Sequence, residues 1–184
     1  YNPAGEYYDQ YGNVKYYDNE TDNYAQHHFQ LNYTHSFARN LSWSTTFNYT
    51  RGDGYYENYK AGKSFSKYLM NPPVVDGIEY DEGDFITREA LANDYYVLNS
   101  VLRYSDERLN LTTGLNLSRY DGDHIGKVLW NNILGDSFDY AGHNWYLNNG
   151  LKQEMSAFVR GEVVCCEGLT AFLDLQYRGV WLDM

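Results

Sequence analysis

Tyrosine, histidine, paired carboxylates and one cysteine pair carry the chemistry this sequence could do. Tyr7, Tyr8, Tyr11, Tyr16 and Tyr17 cluster near one end, and Tyr55, Tyr56 and Tyr59 form a second group. A tyrosine offers a flat face and a hydroxyl at low entropy cost. Such clusters suit sugars and siderophores alike, so these eight are ligand-binding candidates. His124 and Trp130 join them from a later polar stretch. His27, His28 and His35 raise the question of a metal. In a strand His27 and His28 point to opposite faces, and His27 and His35 lie about 27 Å apart at strand rise. They make no chelate, and no metal site is expected. The acidic runs Asp18, Glu20, Asp22 and Asp76, Glu79, Asp81, Glu82, Asp84 lack the glycine and bidentate glutamate of a calcium loop. They attract cations or keep the surface solvated. Cys165-Cys166 could close a strained vicinal disulfide in an oxidising compartment or simply occupy a turn. No Ser/His/Asp set, paired carboxylate cleft or Gly-rich phosphate loop is present, so no catalytic residue, enzymatic role or cofactor is expected.

These residues must be held by strands. Residues 24–37 alternate, with Phe29, Leu31, Tyr33 and Phe37 on one parity and Gln30, Asn32, Thr34 and Ser36 on the other. Residues 41–50, 94–104, 109–119, 151–164 and 169–178 alternate in the same way. Arg39-Asn40, Ser105 to Arg108, and Cys165 to Gly168 are short enough for hairpin turns. The fold class is therefore all-β, an antiparallel meander of about six strands. Long polar stretches, about 1–23, 51–92 and 120–150, are expected as loops. Charges sort by parity: apart from Arg51 and Arg119, which fall at strand ends where a long side chain can snorkel, Arg103, Lys152, Glu154, Arg160, Asp174 and Arg178 all oppose the apolar rows. Short turns on one side and long loops on the other are the arrangement of a transmembrane β-barrel, with these charges facing its lumen.

The chain has 184 residues, a net charge of −11 and 18% aromatics. That balance excludes a phosphate-binding surface, so no nucleic acid partner is expected. The aromatic content argues against disorder. No apolar run approaches the roughly 20 residues of a membrane helix.

Several stretches resemble TonB-dependent outer-membrane receptors of the Bacteroides group. They are Tyr16 to Tyr24 running into Phe29-Gln30-Leu31-Asn32-Tyr33, then Tyr49 to Lys60, Asn93 to Tyr96, Asp123 to Trp130, and Asp174 to Arg178. The resemblance implies that residues 1–184 are an internal part of a 22-stranded transmembrane barrel, without its plug domain. It implies a location in the bacterial outer membrane. It also implies active import of a scarce nutrient such as a siderophore, haem, cobalamin or oligosaccharide. The implied partners are outer-membrane lipid, a plug domain and the TonB complex outside this chain, and a small nutrient ligand. Two other readings fit the same alternation: a soluble extracellular carbohydrate-binding β-module, and a passive porin or adhesin barrel.

Overall fold

A computed structural model describes residues 6–9, 11–17 and 22–184. Of the acidic residues singled out above, Asp18 and Glu20 lie outside the described residues. The described chain is all-β: β1 (Glu6–Tyr8), β2 (Val14–Tyr16), β3 (Asp22–Ala38), β4 (Leu41–Ser64), β5 (Val74–Val75), β6 (Ile78–Glu79), β7 (Glu82–Ser105), β8 (Leu109–Asn131), β9 (Asn144–Cys166) and β10 (Leu169–Asp183). Two short 3-10 turns, Phe65–Tyr68 and Gly135–Ser137, interrupt them.

Among the described residues there are three separate sheets. β1 pairs with β2, β5 pairs with β6, and six strands run in the order β10-β9-β8-β7-β4-β3. β10 and β3 are the ends of that order and do not pair with each other, so the sheet is open. This corrects the barrel expectation. Alternating strands and short turns specify a meander, but closure depends on the edges meeting, which parity does not encode. No described helix is long and apolar enough to cross a membrane.

The strands are also longer than the alternation suggests. β4, β7, β8 and β9 span 23 or 24 residues each and continue into the stretches read as loops. Strand pairing is a backbone interaction and persists where side chains stop alternating. The turns are held locally. The Asp106 carboxylate accepts from the Arg108 and Leu109 amides, both at 2.8 Å, and from the Tyr104 hydroxyl at 2.7 Å. Those bonds hold the Asp106 carboxyl below the usual carboxylate range, with Tyr104 the largest contributor. Between β5 and β6, Asp76 and Gly77 both have positive φ, 52° and 80°. An Asp-Gly pair meets that need at little cost.

The chain divides into two compact units. The first comprises Tyr1–Ala25, Gly52–Ala92 and Asp123–Asn149. Its core is Phe65, Tyr68, Met70, Phe85 and Val128, with Ile133, Phe138, Tyr140 and Trp145 packed around it. Phe65 and Phe85 meet edge to face at 5.0 Å, and Tyr68 meets Trp145 the same way at 5.4 Å. Asn131 is buried yet satisfied: its side chain donates to the Asp84 carbonyl and accepts from the Ile133 and Leu134 amides. His143 contacts the Tyr68 carbonyl at 2.6 Å and ties the two polar stretches together.

The second unit comprises Gln26–Arg51, Asn93–Gly122 and Gly150–Met184. Its strands present one polar and one apolar row each. On the polar face Arg160 forks onto Asp174 at 2.8 and 3.0 Å, across the register that pairs these two positions. Arg178 meets Glu154 at 2.8 Å, and Lys152 reaches the same carboxylate at 3.4 Å. Arg103 reaches Ser44 at 3.4 Å. The six charges read as lumen-facing thus lie on the polar face of an open sheet, most of them spent on one another. On the other face Phe29, Leu31, Leu173, Leu175 and Tyr177 remain 56–68% exposed or close to it.

Candidate functional site

The first unit carries the cleft with the most recognition chemistry. It holds about 470 Å³ and is lined by Asp22, Asn23, Tyr24, Gly54, Tyr55, Tyr56, Glu89, Ala90, Leu91, His124 and Tyr146. That volume falls in the range of small-ligand sites. Five strands build it. β3 supplies its first residues, β4 the Gly54 to Tyr56 stretch, β7 the Glu89 to Leu91 stretch, and β8 His124. Tyr146, from β9, completes the wall.

Glycine makes two of these approaches possible. A Cβ on Gly54 would lie 2.9 Å from the Tyr24 Cα and closer still to the Asn23 carbonyl oxygen. Only a bare backbone lets the start of β3 cross there. A Cβ on Gly126 would collide with the rings of Tyr146 and Trp145. Those rings stand edge to face at 4.4 Å, which fixes the angle of the Tyr146 ring.

The polar groups are oriented from behind. Glu57 is almost completely buried and accepts from Arg88 Nε at 2.8 Å and also from Nη2. The same guanidinium sits 4.0 Å from the centre of the Tyr55 ring. Glu57 therefore positions Arg88, and Arg88 holds Tyr55 by a cation–π contact. The Tyr56 hydroxyl donates to Glu89 Oε2. Burial, and then the nearby Glu89 charge, push the Tyr146 hydroxyl above its ordinary pKa. The same two causes raise Tyr68 to about 12. These tyrosines stay neutral donors at physiological pH, and Glu89 is an acceptor.

Of the ligand candidates expected from the sequence, the structure gathers Tyr55, Tyr56 and His124 in the cleft. Tyr59 is not there. Its ring stacks on Tyr7 at 4.2 Å, tilts against Tyr17 at 6.1 Å, and its hydroxyl donates to Asp84 at 2.5 Å. Burial and that carboxylate push its pKa well up. Tyr7, Tyr17 and Tyr59 are thus a packing cluster. Tyr8, Tyr11 and Tyr16 are exposed on the β1–β2 hairpin. Trp130 is half-buried in β8 and does not line the cleft. Sequence reasoning missed Tyr24, Tyr146 and Glu89. By pattern Tyr24 is only the start of a strand, and the glycine at 126 is the available signal for a ring packed at Tyr146. Among the described residues no group of three or more His, Cys, Asp or Glu side chains is placed to hold a metal ion.

No protein-family model matches the chain, and no curated protein matches its sequence. The resemblance to TonB-dependent receptors is therefore corrected: its short stretches do not amount to a family match, and the sheet that should curve into a barrel is open. The expectations that rested on it fall with it. They are TonB-powered nutrient import, partnership with outer-membrane lipid, plug and TonB complex, and an outer-membrane location. The physical reason is that aromatic-flanked alternation builds any half-apolar antiparallel sheet, whatever covers its apolar side.

Proposed function

We propose that the chain is a carbohydrate-binding β-module whose ligand lies in the cleft of the first unit and is bound without being turned over. The observation that carries this reading is the convergence of four tyrosines, Tyr24, Tyr55, Tyr56 and Tyr146, with Glu89, Asp22 and His124 around one cavity. Sugars present apolar C–H faces and rings of hydroxyls. Aromatic rings accept the faces, and carboxylates and imidazole exchange hydrogen bonds with the hydroxyls. The backing by Glu57 and Arg88 fixes the Tyr55 ring before ligand arrives, which lowers the entropy lost on binding. The acidic balance of the chain suits a neutral ligand better than a phosphorylated one.

The test is calorimetric titration with a panel of neutral oligosaccharides. Binding is expected to one or more of them. Tyr55→Ala and Tyr146→Ala should each weaken it about ten-fold, equivalent to about 1.4 kcal/mol. Tyr11→Ala, on the exposed hairpin, should leave it unchanged. Failure of every oligosaccharide to bind, or equal loss in all three variants, would sink the reading.

A further inference from the structure

The end of β9, just before the turn into β10, carries Cys165 and Cys166 side by side, both exposed and both free thiols. In a regular strand adjacent side chains point to opposite faces, so neighbouring cysteines cannot share a ligand. Here the register breaks that rule. Thr170 pairs with Val164 and Leu169 pairs with Cys166, so Cys165 has no partner across the ladder. It is the extra residue of a β-bulge. Directly paired residues share a face, so Cys166 lies with Leu169 on the face that also carries Ala171 and its partner Val163. Cys165, two residues after Val163, starts from that same face. The bulge thus brings both thiols to one side of the hairpin end. The Cys165 thiol makes only a long contact to the Val163 carbonyl, at 3.8 Å.

We infer that Cys165 and Cys166 form a bidentate dithiol site for a thiophilic ion of low coordination number, of the kind trivalent arsenic represents. Sulfur donors select soft ions over hard ones. The reaction with a monosubstituted arsenic(III) oxide is a condensation. Two S–H bonds and the As–O bonds break, two As–S bonds form, and the oxygen leaves as water with both thiol protons. Arsenic stays trivalent and no sulfur is oxidised, so no further reagent is required. Glu167 and Gly168 complete a tight turn, with Gly168 at a φ of 80°, and leave the thiol side open.

The probe is phenylarsine oxide, followed by intact mass and by titration in the presence of excess monothiol. The folded chain should gain one phenylarsenic group per molecule, retained against the monothiol and released by a small 1,2-dithiol. Cys165→Ser and Cys166→Ser should each abolish that retention. Unfolding in urea should weaken binding about ten-fold, because the flexible chain loses the orientation the bulge supplies. Two groups per chain, or displacement by the monothiol, would overturn the proposal, since each thiol would then act alone. Equal affinity in the unfolded chain would also overturn it, by showing that the bulge contributes nothing.

Discussion

The two units use the same strands to opposite ends. The first encloses its aromatics: Phe65, Phe85 and Val128 are fully buried, and its ion pair Glu57–Arg88 is sheltered on the carboxylate side. The second leaves its aromatics and leucines half open and places its ion pairs in the open too, with Arg160 and Arg178 about 60% exposed. Alternation alone makes a sheet with an apolar face. Covering that face takes chain that folds back, and only the first unit has it, in the 65–80 and 131–145 stretches. A large uncovered apolar face is a surface for interaction rather than a core.

The contrast can be broken or sharpened by measurement. The largest effect is expected in the enclosed core. Phe85→Ala should cost about 4 kcal/mol of stability in urea unfolding, from lost burial and the cavity left behind. A loss under about 1 kcal/mol would mean that the first unit is not packed as described. Next comes Arg88→Ala, which strands the buried Glu57 carboxylate and should cost about 3 kcal/mol. Arg88→Lys keeps the charge but loses the fork, and should recover only part of that.

On the open face of the second unit, acid should loosen the β9–β10 hairpin. The Arg178 guanidinium bonded to Glu154, and the Arg160 guanidinium bonded to Asp174, hold both carboxyls below the usual carboxylate range. Groups lowered in the folded state contribute stability that is complete above their unfolded pKa, about 4, and fades as pH falls through the folded value. Amide protection factors in 151–163 and 170–183, taken relative to the intrinsic exchange rate at each pH, should therefore fall below about pH 4 and be flat from pH 6 to 8. Unchanged protection at pH 3 would show that these pairs hold nothing. The smallest effect is expected at Leu175, 59% exposed on the edge strand. Leu175→Lys should change stability by no more than about 0.5 kcal/mol. A loss above about 1.5 kcal/mol would reveal that this face is buried in solution, which would erase the contrast between the units.

Much of the second unit was legible in the sequence. Leu41, Trp43, Phe47 and Tyr49 share a parity, and the charges at 152, 154, 160, 174 and 178 share the opposite one. Both follow from the two-residue repeat of a strand, which is a local property. The first unit was far less legible. Its strands pass through Gly54, Glu57, Asn58 and Asp84 with no alternation of polarity, because both faces there meet other parts of the chain. The Asp76-Gly77 hairpin is a readable signal inside a stretch whose polarity otherwise suggests only loop. The cleft was half visible: Tyr55, Tyr56 and His124 stood out by type, but nothing local separated them from Tyr59, which packs on Tyr7.

By itself, then, the sequence determined that this chain is all-β, where its hairpins turn, and which side of each strand is polar, since these depend on neighbours one to four residues apart. The tertiary structure alone decided that the six-stranded sheet stays open and which tyrosines line the cleft or pack on one another. It also decided that Tyr146 and Glu89 line one cleft with Tyr56, and that a bulge turns two cysteines to one side. Those outcomes rest on contacts between residues far apart in the chain, and on a one-residue shift in register that no repeat pattern records.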